Sequence, residues 1–290
     1  MRKFLKWTGI VLAAFFVLIL LCYWIISKSI DGKLNKRYSV RVENIPLETD
    51  SAGLAYGEQL FFTEGCVNCH GERGEGRMII DDPKVGILAG RNITRGKGGL
   101  PADFNENDYL LALRHGLSRD GKPLIIMPAN VYSRLADHEM ACIISYCQAL
   151  PPVNNTPPAL QIGWLGRVLT YFNKIPFIPA ELTDHNYKAP KQIKKEVTAA
   201  YGKYLAATCA SCHHPDFKGG ENHQPGKPQV PDITSTGHLG HWPPEQFIHI
   251  FRTGLTPEGK HLDNEDMPWQ LFGHYTDDDL KALYLFLKIQ

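Results

Sequence analysis

The hydrophobic pattern divides the chain into one long apolar run and a series of short amphipathic stretches. Residues 7–26, from Trp7 through Ile26, pass without a charge. A helix of that length, at about 1.5 Å per residue, spans ~30 Å, the hydrocarbon thickness of a bilayer. Arg2, Lys3 and Lys6 precede the run, and Trp7, Tyr23 and Trp24 stand near its ends, where amphipathic rings favour the membrane interface. No small-residue cleavage site follows, and bulky Leu20 and Leu21 precede Cys22 where lipid attachment needs small residues. The run therefore reads as an uncleaved anchor. Beyond it, helical periodicity predicts helices over 52–62, 107–115 and 140–150, and again over 197–207, 244–252 and 280–289. Acidic clusters at Asp137 and Glu139, and at Asp277 to Asp279, open the last helix of each set, as helix-start electrostatics favour. Regular strand alternation is absent, so the expected class is all-α: two tandem helical domains behind a transmembrane helix, with long Gly/Pro loops.

The two sets of helices belong to an internal repeat. Ala55-Tyr56-Gly57 recurs as Ala200-Tyr201-Gly202, and Arg91-Asn92-Ile93-Thr94 is echoed by Pro231-Asp232-Ile233-Thr234. Leu113-Arg114-His115-Gly116-Leu117 matches Phe251-Arg252-Thr253-Gly254-Leu255, and Met127-Pro128 matches Met267-Pro268. These correspondences predict an anchor at 1–27, a linker at 28–50, a first domain at 51–153, a connecting segment at 154–195 and a second domain at 196–290. The connecting segment holds Ile162, Trp164, Leu165, Val168, Leu169, Tyr171, Phe172 and Phe177 among its prolines. It is too apolar to stay solvated, and it is expected to pack across both domains.

A formal charge of +1 over 290 residues gives no electrostatic ground for a nucleic-acid partner. The seven cysteines change the picture more. Four of them form Cys66-Val67-Asn68-Cys69-His70 and Cys209-Ala210-Ser211-Cys212-His213. Cys-x-x-Cys-His is the attachment site of c-type haem: two thiols on one turn bond the porphyrin, and the histidine that follows reaches the iron. A thioredoxin-like dithiol needs a βαβ setting, and one zinc site made from both pairs leaves each histidine unexplained. Two covalent haems are the expected cofactors, with Cys66, Cys69, Cys209 and Cys212 as attachment points and His70 and His213 as proximal ligands. Cys142 and Cys147, five apart on one helix, are poorly placed for a disulfide and read as small core residues.

The sixth iron position decides between electron transfer and ligand chemistry. Met267 is the single methionine of the second domain, and the repeat places Met127 at the matching point of the first. Competitors are Met78, which lacks a repeat partner, and Met140, part of the stripe Met140, Ile143, Ile144 and Cys147. His115 and His261 are alternative distal ligands, each without an equivalent in the other copy. The other histidines, His138, His185, His214, His223, His238, His241, His249 and His274, read as non-ligands. Arg91, Arg114 and Arg252 are candidate partners for haem propionates, because a guanidinium matches a carboxylate bidentately.

Cys-x-x-Cys-His, Asn-Ile-Thr in a Gly-rich loop, a helix ending Leu-Arg-His-Gly, then Gly-Lys and Met-Pro together resemble class I cytochrome c domains. The likeness extends to the membrane-bound cytochrome c subunits of periplasmic alcohol, aldehyde, gluconate and sorbose-type dehydrogenases. It covers residues from about Ser51 onward, and it departs from the best-known members in having two domains rather than three and an N-terminal anchor. The resemblance implies His/Met ligation, here His70 with Met127 and His213 with Met267. It also implies crossing of the first and last helices, with Gly57 and Phe61 against Tyr146 and Gly202 against Phe286. Basic residues flank both ends of the apolar run and leave its orientation open. The resemblance places the haem domains in the periplasm, attached to the inner membrane. It implies an electron-transfer subunit rather than a catalytic enzyme, taking electrons from a dehydrogenase and passing them to a terminal oxidase or soluble cytochrome. The alternative is a dihaem redox enzyme of the peroxidase or thiosulfate dehydrogenase type. That enzyme needs an iron that opens its sixth site or takes a distal cysteine.

Overall fold

The computed structural model describes residues 2–222 and 227–290. α1 (Arg2–Asn35) contains the whole apolar run and continues past it. It is the one helix among the described residues that is long and apolar enough to cross a membrane. Residues 36–50 then lie extended along the first domain. The Tyr38 amide donates to the Gly121 carbonyl at 2.9 Å, and Ile45 is buried in the first core.

The first domain contains α2 (Ser51–Thr63), α3 (Cys66–His70), α4 (Glu106–His115), α5 (Ala129–Tyr132) and α6 (Asp137–Ala149). After α7 (Trp164–Tyr171) in the connecting segment come α8 (Ala199–His213), α9 (Pro244–Thr253), α10 (Trp269–Phe272) and α11 (Asp277–Leu287). The Asp50 side chain caps α2 by accepting from the Gly53 amide at 2.7 Å. A reciprocal Thr276–Asp279 capping box starts α11.

One difference between the copies follows from the sequence. Glu64-Gly65 has no counterpart before Cys209, so the first copy must take up two extra residues. Gly65 adopts φ 73°, a left-handed conformation that glycine adopts without steric cost. α2 therefore stops and α3 restarts, whereas α8 runs unbroken through its Cys-x-x-Cys-His.

The expectation of an all-α chain needs correcting. The fold is mostly helical, but β1 (Met78–Asp82), β2 (Gly86–Ala89) and β3 (Gln161–Ile162) form an antiparallel sheet in that order. Met78 pairs with Ala89 and Ile87 with Gln161. Strands of two to five residues are too short for alternation to register, and β3 is recruited from beyond the first domain.

α2 crosses α6, and α8 crosses α11. A Cβ on Gly57 would stand 2.1 Å from the Cys142 carbonyl oxygen, and one on Gly202 1.9 Å from that of Ala282. Only glycine lets these backbones meet. Phe61 packs on Tyr146 with ring centroids 5.4 Å apart. In the second copy Ala206 stands where Phe61 would be, and Phe217 fills the space, 5.4 Å from Phe286.

The domains meet through repeat-equivalent residues. Glu139 accepts from the hydroxyls of Tyr56 (2.9 Å) and, across the interface, Tyr204. Asp279 accepts from the Tyr201 hydroxyl (2.7 Å) and, across the interface, the Gln59 amide (3.4 Å). Each acid thus takes one side-chain donor from its own domain and one from the other, a pseudo-twofold arrangement. The connecting segment packs chiefly on the first domain and α1. Its Phe177 carbonyl accepts from the Ile126 amide at 3.0 Å and its Pro190 carbonyl from the Asp137 amide at 2.9 Å. Ile193 reaches the second core.

Candidate functional site

The first Cys-x-x-Cys-His forms α3, directly after the helix that begins its domain, and the second closes α8. Cys66 is buried in the first core cluster, and Cys209 packs against the second. Burial pushes the Cys66 thiol well up and the Cys209 thiol up to about 12. The chain after each motif then turns back beneath it. The Gly76 amide donates to the His70 carbonyl at 2.6 Å, and the Gly219 amide to that of His213 at 3.1 Å.

Both histidines are held in the same way. His70 Nδ1 lies 2.8 Å from the Arg91 carbonyl oxygen, and His213 Nδ1 lies 2.9 Å from that of Pro231. A neutral imidazole donating from Nδ1 has its Nε2 lone pair free for a metal, and the carbonyl fixes tautomer and ring direction. Burial lowers the pKa of both rings, which favours that neutral form. The carbonyls are themselves braced by the following residues. Asn92 Oδ1 accepts from the Thr94 amide at 2.9 Å, and Asn92 Nδ2 donates to the Val153 carbonyl at 2.7 Å. Asp232 Oδ1 accepts from the Thr234 amide and hydroxyl, both at 2.7 Å.

The methionine loops also match. Gly116 (φ 65°) and Gly254 (φ 70°) end α4 and α9 in the left-handed region. The Leu124 amide then donates to the Gly116 carbonyl (2.7 Å), and the Leu262 amide to that of Gly254 (2.8 Å). Met127 and Met267 each precede a short helix and accept on their carbonyls from Ala129 (2.8 Å) and Trp269 (2.6 Å). Met127 packs against the cluster containing Cys66, and Met267 against the cluster that Cys209 joins. Of the competing residues, Met140 and His115 are engaged elsewhere. Met140 is fully buried within α6, and Met78 is exposed on β1. His115 Nδ1 lies 3.2 Å from His185 Nδ1, and burial with that neighbour lowers its pKa to about 4. His261 is exposed, and His223 lies outside the described residues.

Two of the arginines named as candidate propionate partners bond protein groups. Arg114 donates to the carbonyls of Ser133 (2.9 Å) and Leu135 (2.6 Å) and pairs with Asp137 at 2.6 Å. Arg252 does the same with Gly273 (2.6 Å), Tyr275 (2.8 Å) and Asp277 (2.7 Å). These guanidiniums staple the chain after each Met-Pro to the start of the last helix through their Nη donors. At Arg91 the backbone carbonyl does the work. The proteins' matching sequence signal was visible: an arginine and an aspartate recur in register.

The residues fit a haem in each domain. Tyr109 Oη in the first core, and Tyr275 Oη and Trp269 Nε1 in the second, are buried without a partner. Such donors are costly unless an acceptor such as a propionate meets them. Among the described residues no three His, Cys, Asp or Glu side chains converge, which removes the single zinc site built from both cysteine pairs.

Sequence reasoning missed Glu64, because its two-residue insertion belongs to no motif. Its carboxylate accepts from the Thr208 hydroxyl at 3.3 Å, and its carbonyl accepts from the Tyr132 hydroxyl at 2.9 Å. It thus joins the residues just before both attachment sites. Burial, then the charge of Glu139, raises its pKa from 4.5 to about 7. The folded state therefore keeps a proton that the unfolded state has already lost, so stability falls as pH rises from about 4.5 to about 7. Glu64→Gln is expected to remove this slope and to add about 2 kcal/mol at pH 8, with partial exposure allowed for. Urea unfolding of the two proteins at pH 5 and pH 8 checks it. Equal slopes would mean that Glu64 ionises freely.

A family model described as Cytochrome c matches this chain twice, over residues 54–151 and 199–289. The chain is similar to the fructose dehydrogenase cytochrome subunit of Gluconobacter japonicus, 24% identical over 75% of this chain and 48% of that protein. It is similar to the alcohol dehydrogenase (quinone) cytochrome c subunit of Gluconobacter oxydans, 22% identical over 83% of this chain and 55% of that protein. It is also similar to the gluconate 2-dehydrogenase cytochrome c subunit of Pantoea cypripedii, 23% identical over 83% and 60%. The chain spans roughly half the length of these relatives.

Proposed function

The chain belongs to the cytochrome c family, and we propose that it is a membrane-anchored dihaem electron carrier working as a subunit of, or partner to, a dehydrogenase. Haem c, once attached, supplies a one-electron iron centre. In this reading Cys66 with Cys69, and Cys209 with Cys212, hold the two porphyrins. His70 and Met127 close one iron, and His213 and Met267 close the other. The observation that carries the reading is the recurrence of the whole apparatus: a Cys-x-x-Cys-His whose histidine Nδ1 meets a carbonyl at 2.8 and 2.9 Å, paired with a core-packed Met-Pro loop.

An iron closed by protein on both sides has no position for substrate, which favours electron transfer over catalysis. Cys142 and Cys147, the spare thiols outside the anchor, lie buried on α6, which argues against a distal cysteine. The Glu64–Thr208 contact at 3.3 Å links the residues just before the two attachment sites and is the proposed route between haems. α1 holds the protein in the inner membrane with both domains in the periplasm. The donor is a dehydrogenase in the same membrane, and the acceptor is an oxidase or soluble cytochrome.

The test uses membranes from cells expressing the full chain. The protein is expected to remain through high-salt and carbonate washes, since apolar burial is insensitive to screening. Both haems are expected to become reduced when the substrate of a co-resident alcohol, sugar or aldonate dehydrogenase is added. Soluble protein with a mature N-terminus beyond Ile26, or haems that no such substrate reduces, would overturn the anchor or the partner respectively.

A further inference from the structure

α7 (Trp164–Tyr171) is left unexplained by electron transfer. It is strongly amphipathic, and its two sides meet different surroundings. Gly166 and Thr170, one turn apart, are buried. A Cβ on Gly166 would lie 2.0 Å from the Val85 carbonyl oxygen, so this side sits directly on the turn between β1 and β2. The Leu165 amide donates to the Lys84 carbonyl at 2.9 Å, which fixes the helix start to the same turn. The other side carries Trp164 and, two turns on, Tyr171, followed by Phe172. These rings are 54%, 39% and 60% exposed, an apolar aromatic patch turned away from the protein.

The level of that patch is set by α1. Arg167 pairs with Asp31 at 2.7 Å and donates to Ser27 at 3.3 Å. Ser27 is the first residue after the apolar run. Lys33 pairs with Glu181 at 2.6 Å, a second clamp between α1 and the connecting segment. Within the run itself, Tyr23 and Ile26 are partly covered. They lie on the side of α1 that carries Ser27 and Asp31. α7 is therefore held at the turn that follows the apolar run, at the height where a bilayer would end. Exposed Lys84 and Lys174 flank its two ends, and exposed Lys28 follows Ser27 on α1.

We propose that α7 is an interfacial helix, with Trp164, Tyr171 and Phe172 seated in the phospholipid surface of the membrane that α1 spans. Trp and Tyr favour that depth, an amphipathic helix lies there with its apolar side down, and the lysines complement anionic headgroups. Continuity with the apolar run selects lipid as the occupant. Together α1 and α7 give the first domain two attachments, which restrict its rotation about α1 and fix the height of its haem above the membrane.

This inference rests on α1 spanning the bilayer, and the experiment separates the two. The purified full chain, with its haems, is reconstituted without partners into vesicles of phosphatidylethanolamine and phosphatidylglycerol that include a lipid with a diazirine on its acyl chain. After illumination, adducts are mapped by mass spectrometry. Adducts are expected along α1 and on Trp164, Tyr171 and Phe172, and none on Leu285 or Ile289, which are exposed on the second domain. Replacing Trp164 and Phe172 together by Glu is expected to abolish the α7 adducts and leave those of α1. Adducts on α1 alone would overturn the proposal and assign the patch to a protein partner. Loss of adducts on α1 as well would overturn the anchor on which it depends.

Discussion

A chain carrying Cys209→Ala with Cys212→Ala is expected to emerge with one covalent haem instead of two. The reason is local chemistry. The two thiols lie one turn apart at the end of α8, and no other cysteine among the described residues lies in the second core cluster or packs against it. The denatured protein should lose the mass of one haem, and the pyridine haemochrome absorbance per chain should halve. The first site should survive, because Cys66, Cys69, His70 and Met127 all come from the first repeat. The second domain should also lose stability, since its buried Tyr275 and Trp269 polar atoms would keep no acceptor. The mirror variant, Cys66→Ala with Cys69→Ala, should leave only the second haem. Retention of both haems in either variant would place attachment elsewhere, and a protein that binds zinc but no haem would end the reading.

Met127→Ala and Met267→Ala are expected to open one iron each to carbon monoxide, which the unaltered protein should resist at both haems. The corresponding Met→His changes should keep carbon monoxide out but lower one potential. Methionine stabilises the reduced iron, and axial ligands command a range of roughly 0.8 V. Redox titration followed through the haem absorbance, with the near-infrared methionine-to-iron band as a second readout, checks both. Each variant should move one of two resolvable waves. Ready carbon monoxide binding by the unaltered protein at one haem would instead favour the dihaem enzyme. If His115 or His261 were a distal ligand, the methionine variant of that domain would leave its haem's potential in place.

The parts of the site that were legible in the sequence are those whose chemistry is local. Two thiols and an imidazole serve one porphyrin only at short fixed spacing, so Cys66, Cys69 and His70 announce themselves, as do Cys209, Cys212 and His213. The repeat extended that reading to residues far along the chain, because a methionine recurring in register stands out where a single one would not. The same register carried Arg114 and Arg252, but nothing in the string of residues says that they bond carbonyls just before α6 and α11 and an aspartate at the start of each. The small sheet was illegible because its third strand, Gln161–Ile162, is two residues long and pairs only after the connecting segment has folded back.

By itself, then, the sequence determined the cofactor class, the duplication and the apolar run, and it put forward the attachment residues, since each follows from residue type at short range or from register between copies. Tertiary structure alone decided which groups meet across long separations: Glu64 with Thr208, Tyr204 with Glu139, and Arg167 with Asp31. Those contacts depend on how two helix pairs and a connecting segment pack, and packing is chosen by shape and burial summed over the whole chain. They set the electrostatics between the two haem sites and the height of α7 beside the apolar span.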